Sequence, residues 1–160
     1  MELYLLRHAH AGNPERWSGP DEVRPLSAKG EAQADRLGRF LAGVHFRPDA
    51  IASSPKVRAR QTADTVARHL ALKVQIDERL GGGLDERILD AVVADLGDPA
   101  RPVLVGHDPD FSELVASLTG SARVAMRKGA FVRIDVDRPL RAGGGTLRWL
   151  VPPDLLDPDR

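Results

Sequence analysis

The 160-residue chain contains no cysteine. Disulfides, thiolate metal sites and a cysteine nucleophile are therefore excluded. It has no surplus of either charge: Lys+Arg and Asp+Glu both number 23, and the formal net charge is zero. A basic surface for nucleic acid or anionic membrane is not indicated, although a neutral total is compatible with a local positive pocket. No stretch approaches the ~20 apolar residues that a membrane helix needs. The start, MELYLLRHAH, lacks a basic n-region followed by a long apolar stretch, so a signal peptide is not expected and a cytoplasmic setting is the default. Repeats, low-complexity tracts and a domain linker are missing too. What remains is an ordinary globular composition, 42% hydrophobic and 29% charged, which argues against disorder. The length suits one domain over residues 1–160, able to hide roughly two thirds of its unfolded surface.

Short apolar segments alternate with amphipathic ones along the chain. Glu2 to Leu6 reads as a strand that stops at Arg7-His8. Gly12 to Pro25 is rich in Gly, Pro and charge and reads as a loop. Ser27 is placed to cap a helix whose apolar stripe is Ala34, Leu37 and Leu41. Asp49 to Ser53 is a second strand. Ser54-Pro55 reads as a helix start, a hydroxyl cap before a proline, with Thr62, Val66 and Leu70 facing inward. Lys73 to Asp77 is a weak strand, Gly81-Gly82-Gly83 a break, and Asp85 to Leu96 a helix. Pro102 to Val105 is a strand ended by Gly106-His107. Asp108-Pro109 repeats the cap-then-proline start, before Phe111, Leu114, Val115 and Leu118 at helical spacing. Ala130 to Val136 and Thr146 to Val151 read as an antiparallel pair. The tail after Pro152 is expected to be loosely held. This alternation predicts a three-layer α/β/α sandwich with a mostly parallel central sheet and an antiparallel C-terminal pair.

Ligands in such sheets bind outside the carboxyl ends of the strands. Arg7-His8, Ser53-Ser54 and Gly106-His107 all fall at such ends, so three loops distant in sequence are expected to meet on one rim. That rim offers two histidines, His8 and His107, and two arginines, Arg7 and Arg58. Arg58 lies in the first turn of a helix, where free N–H groups and the positive end of the dipole face outward. Arginine forks beside a helix N-terminus suit a tetrahedral anion, phosphate above all. A neutral imidazole suits in-line attack on its phosphorus, and His8 follows directly from a strand that fixes its backbone.

Leu5-Leu6-Arg7-His8-Ala9-His10-Ala11 resembles the Arg-His signature of the histidine phosphatase (phosphoglycerate-mutase-like) superfamily. Arg24-Pro25-Leu26-Ser27 with Gly30, Ser53-Ser54-Pro55 with Arg58-Ala59 and Gln61-Thr62, and Val105-Gly106-His107 resemble its later segments, in the same order. The resemblance implies that His8 is the nucleophile and that Arg7, Arg58 and His107 hold the phosphoryl oxygens. It implies that Asp21 and Arg24 flank the substrate, and that no metal ion or organic cofactor is needed. Arg-His-Ala-x-Ala, the short chain and the short Gly-rich link resemble the bacterial phosphohistidine phosphatase branch. Larger members carry a glutamate general acid where this chain reads Leu80-Gly81-Gly82-Gly83-Leu84. No glutamate stands in that run, and the nearby Asp85 and Glu86 are the substitute candidates, with Asp21 a further one. An alkoxide leaving group needs an acid, worth ~10²–10⁴-fold. An imidazole, with a reference pKa of about 6.5, leaves without a strong one. Protein phosphohistidine is therefore the expected substrate. Small phosphate esters or anhydrides, and a phosphate-binding module without turnover, are the alternatives.

Plainer readings apply to the other polar residues. His8 and His10 share a strand face but lack a carboxylate or thiolate at metal-site spacing. His45, His69, Arg36, Arg39, Arg47 and Arg68 read as surface or helix-end residues. Trp17 reads as a loop anchor or part of a docking surface. The triple glycine lacks the lysine and hydroxyl of a phosphate-binding loop.

Overall fold

The computed structural model describes residues 1–158. Six strands form one sheet: β1 (Glu2–Arg7), β2 (Ala50–Ser53), β3 (Val74–Ile76), β4 (Pro102–Gly106), β5 (Phe131–Val136) and β6 (Gly145–Val151), in the order β3-β2-β4-β1-β5-β6. The β1–β4, β2–β4 and β2–β3 pairs are parallel, and β5 runs antiparallel to both β1 and β6. Four helices, α1 (Ala28–Gly43), α2 (Val57–Leu70), α3 (Glu86–Asp95) and α4 (Asp110–Thr119), cover the two faces. None is long and apolar enough to cross a membrane.

Side-chain alternation in β1 explains the layering. Leu3 and Leu5 point into a core shared with Leu89, Val92 and Val93 of α3 and Phe111, Leu114, Val115 and Leu118 of α4. Tyr4 and Leu6 point the other way, among Leu37 and Leu41 of α1 and Ala59, Ala63 and Val66 of α2. A strand apolar on both faces belongs inside a sheet covered on both sides, and β1 and β4 occupy the two central places. The α/β/α sandwich with its antiparallel C-terminal pair is thus the observed architecture.

Two helix starts differ from their sequence signals. α2 begins at Val57, with Lys56 rather than Ser54 in the cap position and no side-chain cap. α4 begins at Asp110, and Asp108 does not cap it. In both places the side chain that reads as a cap has a partner in the site, as described below. Arg58 still falls in the first turn of α2. The tail expected to be loose forms a short 3-10 turn, Pro153–Leu156, with Pro153 buried. Its last two residues lie outside the described residues. Arg36 is not on a solvated face: its side chain is largely covered and pairs with Asp157 at 3.2 Å.

Candidate active site

Sheet order assembles the rim. β4 lies between β1 and β2, so their three carboxyl ends are neighbours. The His8 N–H donates to Gly106 O at 3.0 Å, and the Ser54 N–H donates to Val105 O at 3.0 Å. These two bonds carry the strand register just past the strand ends and set His8, Ser54 and His107 side by side. The His8 and His107 ring centres are 5.1 Å apart. Both residues are nearly buried, 5% and 7% exposed, as are Arg58 and Arg24.

The hydrogen bonds of His8 fix its tautomer. Nδ1 lies 2.7 Å from Ala9 O. A carbonyl only accepts, so Nδ1 carries the proton and Nε2 keeps its lone pair. Burial is the main reason that the His8 pKa drops from 6.5 to about 3, with the Arg58, Arg7 and Lys128 charges acting the same way and the Ala9 bond opposing them. At neutral pH the ring is uncharged and its Nε2 is available. The following backbone is held too, because Ala9 N–H donates to Thr62 Oγ1, which itself donates to Arg58 O. Behind it, a Cβ at Gly30 would fall 1.9 Å from His10 O, so only glycine lets α1 pack this close to the loop.

His107 is tuned by Ser54. The Ser54 Oγ accepts from Lys56 N–H at 3.2 Å and lies 2.7 Å from His107 Nε2. A hydroxyl has one hydrogen and two lone pairs, so it can accept from Nε2–H or donate to Nε2, and either His107 tautomer, with the proton on Nε2 or on Nδ1, satisfies it. The His107 Nδ1 is buried and has no hydrogen-bond partner. Burial, with the His8, Arg58 and Lys56 environments adding to it, lowers the His107 pKa to about 3.

The arginines are clamped by carboxylates. Arg58 donates from Nη2 to Asp21 Oδ2 at 2.7 Å and from Nη1 to Asp21 O at 2.6 Å. Arg24 donates from Nε to Asp21 Oδ1 at 3.0 Å and from Nη1 to Ala11 O at 2.5 Å. Burial raises the Asp21 pKa, but the Arg24 and Arg58 bonds outweigh it and hold the carboxyl below its ordinary value. Arg7 Nη1 sits 2.9 Å from Asp108 Oδ2. Asp108 therefore serves Arg7 instead of capping α4. The Nε atoms of Arg7 and Arg58 are buried without a partner, like His107 Nδ1. Buried guanidinium N–H groups without an acceptor are costly.

The remaining candidates separate clearly. Asp85 and Glu86 do not join this cluster. Asp85 caps α3 by accepting from Ile88 N–H at 2.7 Å, and Glu86 accepts from the Ser117 hydroxyl on α4. Both are near the glycine run in sequence, but helix formation turns them to other tasks. His10 is bound to Ser27 Oγ at 2.7 Å. Trp17 anchors its loop through Nε1 to Pro20 O. Among the described residues no group of three or more His, Cys, Asp or Glu is placed to hold a metal ion.

The family model of the histidine phosphatase superfamily (branch 1) matches residues 3–82, half of the chain. The chain is a histidine phosphatase. An uncharacterized protein of Picosynechococcus sp. is 36% identical to it over 121 residues, covering 71% of this chain and 70% of that protein. The phosphohistidine phosphatase SixA of Escherichia coli is 25% identical over 158 residues, covering 96% and 94%. The solved structure of the protein histidine phosphatase SixA with tungstate superposes with a TM-score of 0.84 at 25% identity, covering 98% of this chain and 100% of that one. This histidine phosphatase thus stands in the SixA-like branch of a family of hydrolases with a histidine nucleophile.

The two depressed imidazole pKa values have a consequence for stability. The unfolded chain protonates each imidazole near its ordinary value of 6.5, whereas the fold resists protonation until about pH 3. Below about pH 6.5 the unfolded state therefore binds more protons. Stability falls as pH falls through that window, by up to ~1.4 kcal/mol per pH unit per histidine. Denaturant unfolding should show a midpoint that declines steeply from neutral pH to about pH 5, and less steeply in His107→Gln. A midpoint that holds constant would mean that both rings charge freely in the folded protein.

Proposed function

We propose that this histidine phosphatase hydrolyses protein phosphohistidine in two steps, with His8 as nucleophile. In the first, the Nε2 lone pair of His8 attacks phosphorus. The bond from phosphorus to the substrate imidazole breaks, and that imidazole leaves with the electron pair, neutral when its other nitrogen is already protonated. Phospho-His8 keeps its Nδ1 proton on Ala9 O, which steadies the imidazolium. Arg7 and Arg58 hold the phosphoryl oxygens through Nε, and His107 does so in the tautomer with its proton on Nδ1. In the second step water attacks phosphorus, the Nε2–P bond breaks with its electron pair returning to Nε2, and the product departs as dihydrogen phosphate carrying both water protons. Asp21 and Arg24 act through Arg58 by holding its guanidinium.

The observation that carries this reading is the buried, uncharged His8 with its proton fixed on Nδ1, set beside His107 and accompanied by two arginines whose Nε donors have no partner. The substrate follows from the acid. Asp85 and Glu86 are engaged elsewhere, and the Asp21 carboxyl is held below its ordinary value by two arginines, so none is a ready proton donor at neutral pH. A leaving group that needs little help fits such a site. Turnover of a phosphohistidine-bearing protein and of several phosphate monoesters should be compared, with acid quenching to trap the enzyme intermediate. Expected are at least ~10²-fold higher kcat/KM on phosphohistidine and an acid-labile phosphoryl group on the enzyme. Preference for monoesters would overturn the substrate assignment.

A further inference from the structure

Lys128 lies far along the chain from residues 3–82, yet the fold brings it to His8. The segment from Met126 to Ala130 wraps the end of β1. Arg7 Nη1 donates to Met126 O at 2.5 Å, and Arg7 N–H donates to Ala130 O at 3.1 Å. Gly129 N–H donates to both Arg7 O, at 3.1 Å, and His8 O, at 2.9 Å. Gly129 takes φ +84°, a left-handed conformation that lets the chain turn its amide onto those two carbonyls. Lys128 is thus one residue from a clamp on His8. It lines, with Arg7 and His10, a cleft of about 400 Å³ beside them.

Three cations act on His8: Arg58, Arg7 and Lys128. Two of them already hold carboxylates, Arg58 through Asp21 and Arg7 through Asp108. Lys128 is half-buried, and it has no hydrogen bond or ion pair with any described residue. Its neighbours in the cleft differ: Arg36 pairs with Asp157, Arg127 pairs with Asp154, and Lys29 stands in solvent. Burial, and then the charges of Arg7, Arg24 and Arg58, lower the Lys128 pKa. A half-covered ammonium among guanidiniums is held at a cost that an arriving anion removes. No carboxylate has to be released before it can engage.

The geometry points to Lys128 as a further substrate-binding cation, whose ammonium takes a phosphoryl oxygen from the cleft side of the group that His8 attacks. The inference rests on the two-step reading above, and it adds a contact that the arginines, already committed to aspartates, supply only through Nε. A lysine suits the place because its compact charge on a flexible stem can follow the phosphoryl group from substrate to His8.

Binding of vanadate and tungstate by calorimetry, and turnover of a phosphohistidine protein, should be measured for the wild type and for Lys128→Met, Lys128→Gln and Lys128→Arg, with thermal melts as a check on folding. Losing one charge-assisted bond predicts oxyanion affinity and kcat/KM about 10- to 100-fold lower in the Met and Gln variants. The Arg variant should recover most of both. Gln keeps a polar end, so it carries the reading should Met disturb the fold. Oxyanion affinity within twofold of wild type in Met and Gln would overturn the inference. So would an Arg variant as weak as Met, because that pattern reports packing and not charge. The binding arm is independent of the intermediate: a wild type that forms no phospho-His8 removes the two-step reading, while the affinities still judge Lys128.

Discussion

Replacing His8 by alanine is expected to lower turnover by at least ~10³-fold while leaving oxyanion binding within about tenfold of the wild type. The two outcomes separate because the groups that hold the anion are not the group that attacks it. Arg7 is fixed by Asp108 and Met126 O, Arg58 by Asp21, and His107 by Ser54. None of these contacts passes through the His8 ring. The unpaired Nε donors and His107 Nδ1 therefore stay in place beside a cavity one imidazole larger. Acid-quenched samples of His8→Ala should contain no phosphoenzyme, whereas wild type accumulates it early in the reaction. Tungstate affinity in the variant is the control for a collapsed site. Hydrolysis near the wild-type rate would remove His8 from the chemistry and leave the buried pair without its proposed purpose.

Arg58→Ala carries the second large effect, for two reasons that add. The substitution deletes a donor to the phosphoryl group, a change that typically costs ~10²–10³-fold in rate. It also strips Asp21 of its closest counter-ion. The Asp21 carboxylate, half exposed and still tied to Arg24, would then present negative charge to an anionic substrate. The loss should exceed that of a simple donor deletion, and the excess should disappear when Asp21 is neutralised. Arg58→Ala with Asp21→Asn is thus expected to recover roughly tenfold over Arg58→Ala alone. Arg58→Lys should remain poor, because one ammonium cannot grip Asp21 twice and also turn a donor toward the phosphoryl group. Steady-state kinetics on the four proteins reads all of this. A double variant no better than the single would show that Asp21 does not reach the substrate field.

Strand and helix periodicity made most of this architecture legible. The strand from Glu2 and the Phe111–Leu118 stripe formed where their pattern predicts, and the carboxyl-end rule collected Arg7, His8 and His107 on one rim. What it missed has a common physical origin. Ser, Asp and Asn before a proline are good helix caps, but the same short polar side chains are good partners for a histidine or an arginine. Local pattern has no means of choosing between the two uses. Ser54 and Asp108 both went to the site, and α2 and α4 start later without a side-chain cap. Asp85 shows the reverse, a residue suspected of chemistry that became a cap. Lys128 could not be found at all from spacing, because its position depends on β5 pairing antiparallel with β1 and on one left-handed glycine.

Sheet order also governs when the molecule can assemble. β1 and β2 do not pair with each other; β4 bonds to both. Until residues 102–106 have left the ribosome, the amino-terminal strands have no shared neighbour to hold them in register. The segments bearing Arg7, His8 and Arg58 are thus made early and wait, and a partner from the second half of the chain completes the sheet they belong to. Such long-range closure slows folding. It also means that a nascent chain stopped short of β4 would expose two apolar edges and possess no competent catalytic centre.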